Sequence, residues 1–175
     1  MALTVVKNLD VTSSVTGTLP AANGGTGATS YSPGKILQVV NTLFNTETSS
    51  SSTSYADTGM SRTITCSATS SKVLILVSHG GLLKESNNVG GKIQLGRDIG
   101  GSYTALAMFE NDYGRNGSTA LNVVGGASTC YLDSPSSTAE ITYKTRLANS
   151  VSSDALARIC QNSATATITC MEIGA

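Results

Sequence analysis

Tryptophan is absent from this chain of 175 residues, phenylalanine occurs twice, and aromatic residues together make up 5%. Recognition of sugars by stacked rings draws on those side chains, because they give large contact area at low entropic cost. Several of the 6 tyrosines must serve a core, so a surface that stacks on sugars has few places to form. Tyr55 and the pair Asp112-Tyr113, all in polar stretches, are the candidate loop residues for contacting a sugar. Charge is scarce too: charged residues are 13%, and 11 lysines and arginines balance 11 aspartates and glutamates. Such a chain carries no field that would steer it toward nucleic acid or an anionic membrane. Long apolar runs are missing. The longest aliphatic one, Val73 to Val77, is far too short to span a bilayer. The amino terminus has no basic start followed by an apolar stretch, which argues against a cleaved secretory signal. A soluble protein made in the cytoplasm is the expectation.

Chemistry-bearing patterns are equally thin. Cys66, Cys130, Cys160 and Cys170 lie far apart with no C-x-x-C pair, against a zinc site or redox motif, and read as small buried hydrophobes. No P-loop or dinucleotide fingerprint is present, so no cofactor is expected. Ser78-His79-Gly80-Gly81 has the letters of an oxyanion-hole HGG segment, but the nucleophile elbow G-x-S-x-G that should accompany it is absent. His79 therefore reads as a turn residue at a strand end, and the chain as no enzyme. Glu110, Asn111, Asp112 and Asn116 lack the spacing of a calcium loop and read as a solvated loop. Asn116-Gly117-Ser118 is formally a glycosylation sequon, but Asn116-Gly117 is better read as a turn.

What is abundant is serine, threonine and glycine, the last numbering 18. Hydroxyls, glycine and short apolar runs favour strands and turns over helices. Candidate strands follow one another from Lys35–Phe44 through Met60–Cys66, Lys72–Val77, Lys92–Arg97 and Thr104–Phe109. They continue as Thr119–Val124, Ser128–Leu132, Ala139–Leu147, Asp154–Cys160 and Ala164–Ile173. Period-two alternation marks Met60–Cys66 and the last run as half-buried. Thr46–Ser54 is a hydroxyl-rich surface loop, Gly100-Gly101 separates two strands, and in Asp133-Ser134-Pro135 the aspartate caps a turn whose φ the proline presets. Short strands at this spacing predict an all-β, antiparallel β-sandwich of jelly-roll-like form over residues 34–175.

Residues 1–33 differ. Leu3, Val5, Val6, Leu9, Val11 and Val15 make one or two short strands at most. Val15 to Gly27, VTGTLPAANGGTG, has glycines that permit close backbone approach and a proline that fixes φ, with almost no bulk to bury and no helical period. It reads either as a glycine-rich linker or as an extended arm that must lean on copies of itself or on a neighbouring protein. Tyr31-Ser32-Pro33-Gly34 is the turn that closes it.

Leu19-Pro20-Ala21-Ala22-Asn23-Gly24-Gly25-Thr26-Gly27, preceded by Val15-Thr16-Gly17-Thr18, resembles the G-x-LP-x-ANGGTG segment that recurs in tail-fibre and related structural proteins of tailed bacteriophages. The match covers about thirteen residues. A second, less specific resemblance covers most of residues 34–175. Gly34 to Val40, Ser70 to Val77, Tyr131 to Pro135 and Thr167 to Ile173 are similar to a β domain in structural proteins of cyanophages and other aquatic phages. Members of that group often have proline after T-I-T, where this chain has Cys66.

The resemblance implies a homotrimeric virion component of the tail-fibre type, assembled in the host cytoplasm. Leu19, Pro20, Ala22, Asn23, Gly24, Gly25, Thr26 and Gly27 would be the partner-binding arm, docking on the tail hub, the baseplate or the capsid. One domain behind one arm fits a short trimeric fibre or, alternatively, a trimeric capsid-decoration (head-fibre) protein. The arm's four glycines suit three backbones converging on an axis.

Overall fold

A run of alternating apolar and polar residues can bury its apolar side only by pairing edge to edge and stacking as one of two sheets. The computed structural model of the protein describes residues 35–86, 88–117, 122–151 and 155–174, all within one compact unit beginning at Lys35. Ten strands form there: β1 (Ile36–Phe44), β2 (Thr48–Ser50), β3 (Ala56–Thr65), β4 (Lys72–Lys84) and β5 (Gly91–Ile99), then β6 (Ser102–Tyr113), β7 (Asn122–Asp133), β8 (Glu140–Asn149), β9 (Ala157–Ile159) and β10 (Ala166–Ile173). The candidate arm residues Leu19 to Gly27 lie outside the described residues.

Every pairing is antiparallel. β1 pairs β10, β3 pairs β8, β4 pairs β7 and β5 pairs β6, as the two arms of one long hairpin would. Rolled up, that hairpin deals its rungs alternately into two sheets. Sheet A runs β1-β10-β4-β7, and sheet B runs β3-β8-β5-β6. This strand order is a jelly roll, as the sequence predicts. Short β2 and β9 pair with each other and β9 with the end of β4, prolonging the β1–β10 ladder beyond a break.

Alternate residues fill the space between the sheets. Val73, Ile75 and Val77 of β4 and Ile168 and Cys170 of β10 face Ile93 and Leu95 of β5, Ile141 and Leu147 of β8, and Met60 and Ile64 of β3, all buried in one cluster. Each fully buried side chain of this size contributes about 1.5–3 kcal/mol. Burial also pushes the Cys170 thiol up to about 12, the behaviour of a small hydrophobe.

Among the buried polar groups, Glu172, Asp133 and His79 each reach partners across the core. Glu172 of β10 is buried and accepts hydrogen bonds from Gln38 Nε2 (2.7 Å), Ser67 N (2.7 Å), Ser67 Oγ (2.7 Å) and Ser71 Oγ (2.8 Å). Burial works to raise its pKa, but those bonds outweigh it and hold the carboxyl near 2. Asp133, ending β7, takes Arg97 of β5 through both oxygens (2.6 and 2.7 Å) and the Tyr143 hydroxyl of β8 (2.8 Å), tying sheet A to sheet B. Burial first, then this bond to a carboxylate, raises the Tyr143 pKa. His79 of β4 contacts Thr145 Oγ1 through Nε2 (3.0 Å), and Thr145 in turn contacts Thr58 Oγ1 (2.7 Å).

The structure corrects several readings. His79 is a fully buried residue inside a 13-residue strand, not a turn. β4 runs on through Gly80-Gly81 because the glycines kink it: Gly81 sits at φ +61, and a Cβ there would lie 2.6 Å from Gln161 N. β7 bends beside it at Gly125 (φ +99), so the two apolar runs read as separate strands are one. Asp133 is spent on a buried ion pair instead of a backbone cap. The loop read over Thr46–Ser54 contains β2. Cys130 is exposed, whereas the other three cysteines are buried, and all four are free.

Candidate functional site

The registers fix two poles. Ile36, Ile173 and Lys72 stand abreast, Gly174 N donates to Lys35 O (2.8 Å), and Thr65, Glu140 and the Gly100-Gly101 turn share that end. Residue 35, to which residues 1–34 are joined, therefore stands at this near pole. The far pole gathers the β2–β3, β4–β5, β6–β7 and β8–β9 connections, since Ala56 pairs Leu147, Lys84 pairs Asn122, and Gly91 pairs both Tyr113 and Asn149.

The sequence candidates Tyr55, Asp112 and Tyr113 all fall at this far pole, but they do not make one surface. Tyr55 is half-buried, and its hydroxyl lies 3.3 Å from Met108 Sδ. Asp112 adopts φ +81 and pairs with Arg115 at 3.1 Å. Tyr113 is the exception to the prediction: it is buried, its ring fills the space over Gly91 where no Cβ fits, and its hydroxyl donates to Arg158 O (2.7 Å). Burial raises its pKa, with Glu110 adding to the effect. Tyr113 thus braces the pole and offers no ring to a ligand.

Sequence reasoning missed what ties these loops together. Arg158 of β9 bonds Glu47 and Glu85, including 2.9 Å from Nε to Glu85 Oε1, while Leu156 N donates to Glu85 Oε2 (3.0 Å). Lys84 Nζ donates to Asn116 Oδ1 (2.7 Å) and Ser86 O (3.2 Å), so Asn116 holds a buried lysine. Charges scattered from residue 47 to 158 gave no local pattern to read.

The two outer faces differ in kind. On sheet B, Lys144 reaches Asp57 (2.9 Å) and Asp98 (3.4 Å), Arg146 reaches Asp57 (3.1 Å), and both cations lie over the Tyr103 ring. Beside them an open depression of about 570 Å³ is lined by Asp98, Gly100, Gly101, Glu140, Thr142 and Lys144. Sheet A shows solvent Leu37, Val39, Leu43, Leu76 and Leu132.

The chemistry available to the HGG segment is limited by geometry. Ser78 and His79 are neighbours on a strand and point to opposite faces, Ser78 out and His79 in. Burial holds the His79 pKa at about 4, its Nδ1 has no hydrogen-bond partner, and its ring stacks on Phe109 at 6.2 Å. Gly80 O accepts from Cys160 N (2.9 Å), so the two glycines serve the sheet kink. Among the described residues no group of three or more His, Cys, Asp or Glu has the geometry to hold a metal ion.

No family model and no curated protein matches the chain. Among solved structures it is similar to a chain in "Structure of infectious bursal disease virus Gx strain", with a TM-score of 0.30 and 15% identity, over 77% of this chain and 38% of that one. The chain thus spans less than two fifths of that protein's length, and a likeness this loose adds nothing to the strand order already described.

Proposed function

We propose that the chain is a non-enzymatic structural component of a tailed-phage virion: a short, homotrimeric, tail-fibre-like protein anchored by residues 1–33 and carrying a jelly-roll knob. The observation that carries this reading is the Leu19–Gly27 segment, in the order its phage counterparts have, directly ahead of a β domain. The polarity of the knob supports it. Residue 35 stands at one pole and the cross-tied loops at the other, so an anchored domain would present Tyr55 and Asp112 outward, toward a host-cell glycan or another surface.

Gold labelling of virions with an antibody to residues 35–175 tests the reading. Label at the tail hub or baseplate is expected. Label at capsid symmetry axes would establish the capsid-decoration alternative, and a protein missing from purified particles would end both. Replacing Gly24 and Gly25 by valine should abolish incorporation while the β domain still folds. Particles that carry the double variant at normal occupancy would remove the arm's proposed role.

A further inference from the structure

The outer face of sheet A is built as an inside. Val39, Met171, Leu74 and Leu132 pair directly in one row across β1, β10, β4 and β7, and all four side chains are apolar. The next row holds Asn41, Thr169, Leu76 and Cys130, and Leu43 at the β1 edge is 71% exposed. Lys72, at one corner, is the sole charged side chain that β1, β10, β4 and β7 turn toward this face, and Arg158 of β9, paired with Glu47 and Glu85, adjoins it. β4 has the continuous aliphatic pattern KVLILV, which is the signature of a strand covered on both sides rather than one. β1 carries no charge and no proline along ILQVVNTLF, and it pairs with β10 alone among the described strands. Beyond the register shift between Ile36 and Gln38, it thus has neither the charge nor the proline that keeps an edge strand from joining another chain.

We propose that this face is where copies of the chain associate, an inference that rests on the oligomeric virion component proposed above and assigns its contact surface. A neutral face meets a second copy of itself without like-charge repulsion, whereas a partner selected by charge would need charges to read. A lipid surface is disfavoured by the same composition, since interfacial binding draws on basic residues and aromatic anchors, and this face has one lysine and neither tryptophan nor tyrosine. The size fits. Four strands about 4.8 Å apart and about seven residues long at ~3.3 Å each span on the order of 450 Å². That is more than half of the roughly 800 Å² that each partner buries in a standard interface, and the β1 edge adjoins it.

Sedimentation equilibrium and light scattering on the full chain test this, with Leu76→Asp in the middle of the face, Leu43→Asp at its least packed edge, and Thr104→Asp on sheet B as the matched control. Wild type and the control are expected to be multimers, and either face variant is expected to raise the dissociation constant by about 100-fold or more. Leu43 is so exposed that its substitution leaves the core intact, which covers the case in which Leu76→Asp misfolds. Cys130 gives an independent reading: its thiol should react slowly with a maleimide in the wild-type multimer and quickly in the dissociated variants. A multimer that survives both substitutions, or one whose Cys130 reacts at the monomer rate, overturns this interface while leaving the proposed function standing. A wild-type chain that remains monomeric at 100-fold the concentrations found in assembly would overturn both.

Discussion

The two outer faces come from one chain, one on a six-stranded and one on a four-stranded sheet, and yet they follow opposite rules. Sheet B separates its sides as a solvated antiparallel sheet does, with Ile141, Tyr143 and Leu147 inward and Lys144 and Arg146 outward on one strand. Sheet A carries large apolar side chains on both sides, Val73, Ile75 and Val77 inward and Val39, Leu74 and Leu132 outward. Alternation along a strand follows what covers each face, and its loss in β4 is what the association proposed above would explain. Buried polar groups occur in both sheets, Glu172 and His79 on sheet A strands and Thr58, Thr145 and Asn149 on sheet B strands, and Asp133 crosses from one to the other.

The contrast can be broken most severely at its hinge. Asp133→Ala would leave Arg97 and Tyr143 facing an uncompensated gap between the sheets, and a loss of about 3–5 kcal/mol is expected in urea titration. Retention of wild-type stability would mean that the sheets are held together without this tie. Gly81→Val combines a positive φ with a Cβ overlapping backbone, so a cost of at least about 3 kcal/mol is expected from the sheet A kink alone. Thermal unfolding unchanged by that substitution would show that the kink is not required.

Glu172→Gln should cost about 2–3 kcal/mol at neutral pH, because a carboxylate with four donors is replaced by an amide that repels some of them. The sign follows from its depressed pKa near 2: the stabilisation is complete above the unfolded value of 4.5 and disappears as pH falls through 2. His79, neutral when folded and charged when unfolded below 6.5, adds a second acid loss between 6.5 and about 4. Stability measured from pH 7 to 3 should therefore decline in two stages, and the lower stage should vanish in Glu172→Gln. A single flat profile would contradict both assignments. The smallest effect belongs to sheet B's exterior, where Lys144→Ala, despite two ion pairs, should change stability by less than about 0.5 kcal/mol. A loss above about 2 kcal/mol would show that this charged lattice is structural after all.

Much of the sandwich was legible because its signals are local. Met60 to Cys66 and Ala166 to Ile173 alternate with period two, and Gly100-Gly101 marks the β5–β6 turn, so their pairing faces could be read residue by residue. What escaped was set by distant partners. His79 beside two glycines has the letters of a turn, and only Thr145 and Phe109, brought in by β8 and β6, make it core. Asp133 before Ser134-Pro135 looks like a cap until Arg97 arrives from β5. Tyr113 in a polar stretch looked solvent-facing, but Gly91 leaves room for its ring; a pair of glycines opposite an aromatic is the clue that could have been used. Cys130 followed the general habit of buried cysteine, and only the register of β7 against β4 turns it outward. The candidate arm rests on a resemblance over Leu19–Gly27 and on the absence of bulk, both readable without any fold.

The rolled hairpin also sets an order of events. Its central turn at Gly100-Gly101 joins strands adjacent in sequence, whereas Ile36 must find Ile173 across nearly the whole described chain. Closing that outermost rung carries the largest loop-closure cost and is expected to come last. On the ribosome, β1 is the first of the described strands to emerge and waits longest, its apolar residues unclaimed until β10 has been synthesised. The strand best suited to meet another chain is thus also the one for which premature encounters are the greatest hazard.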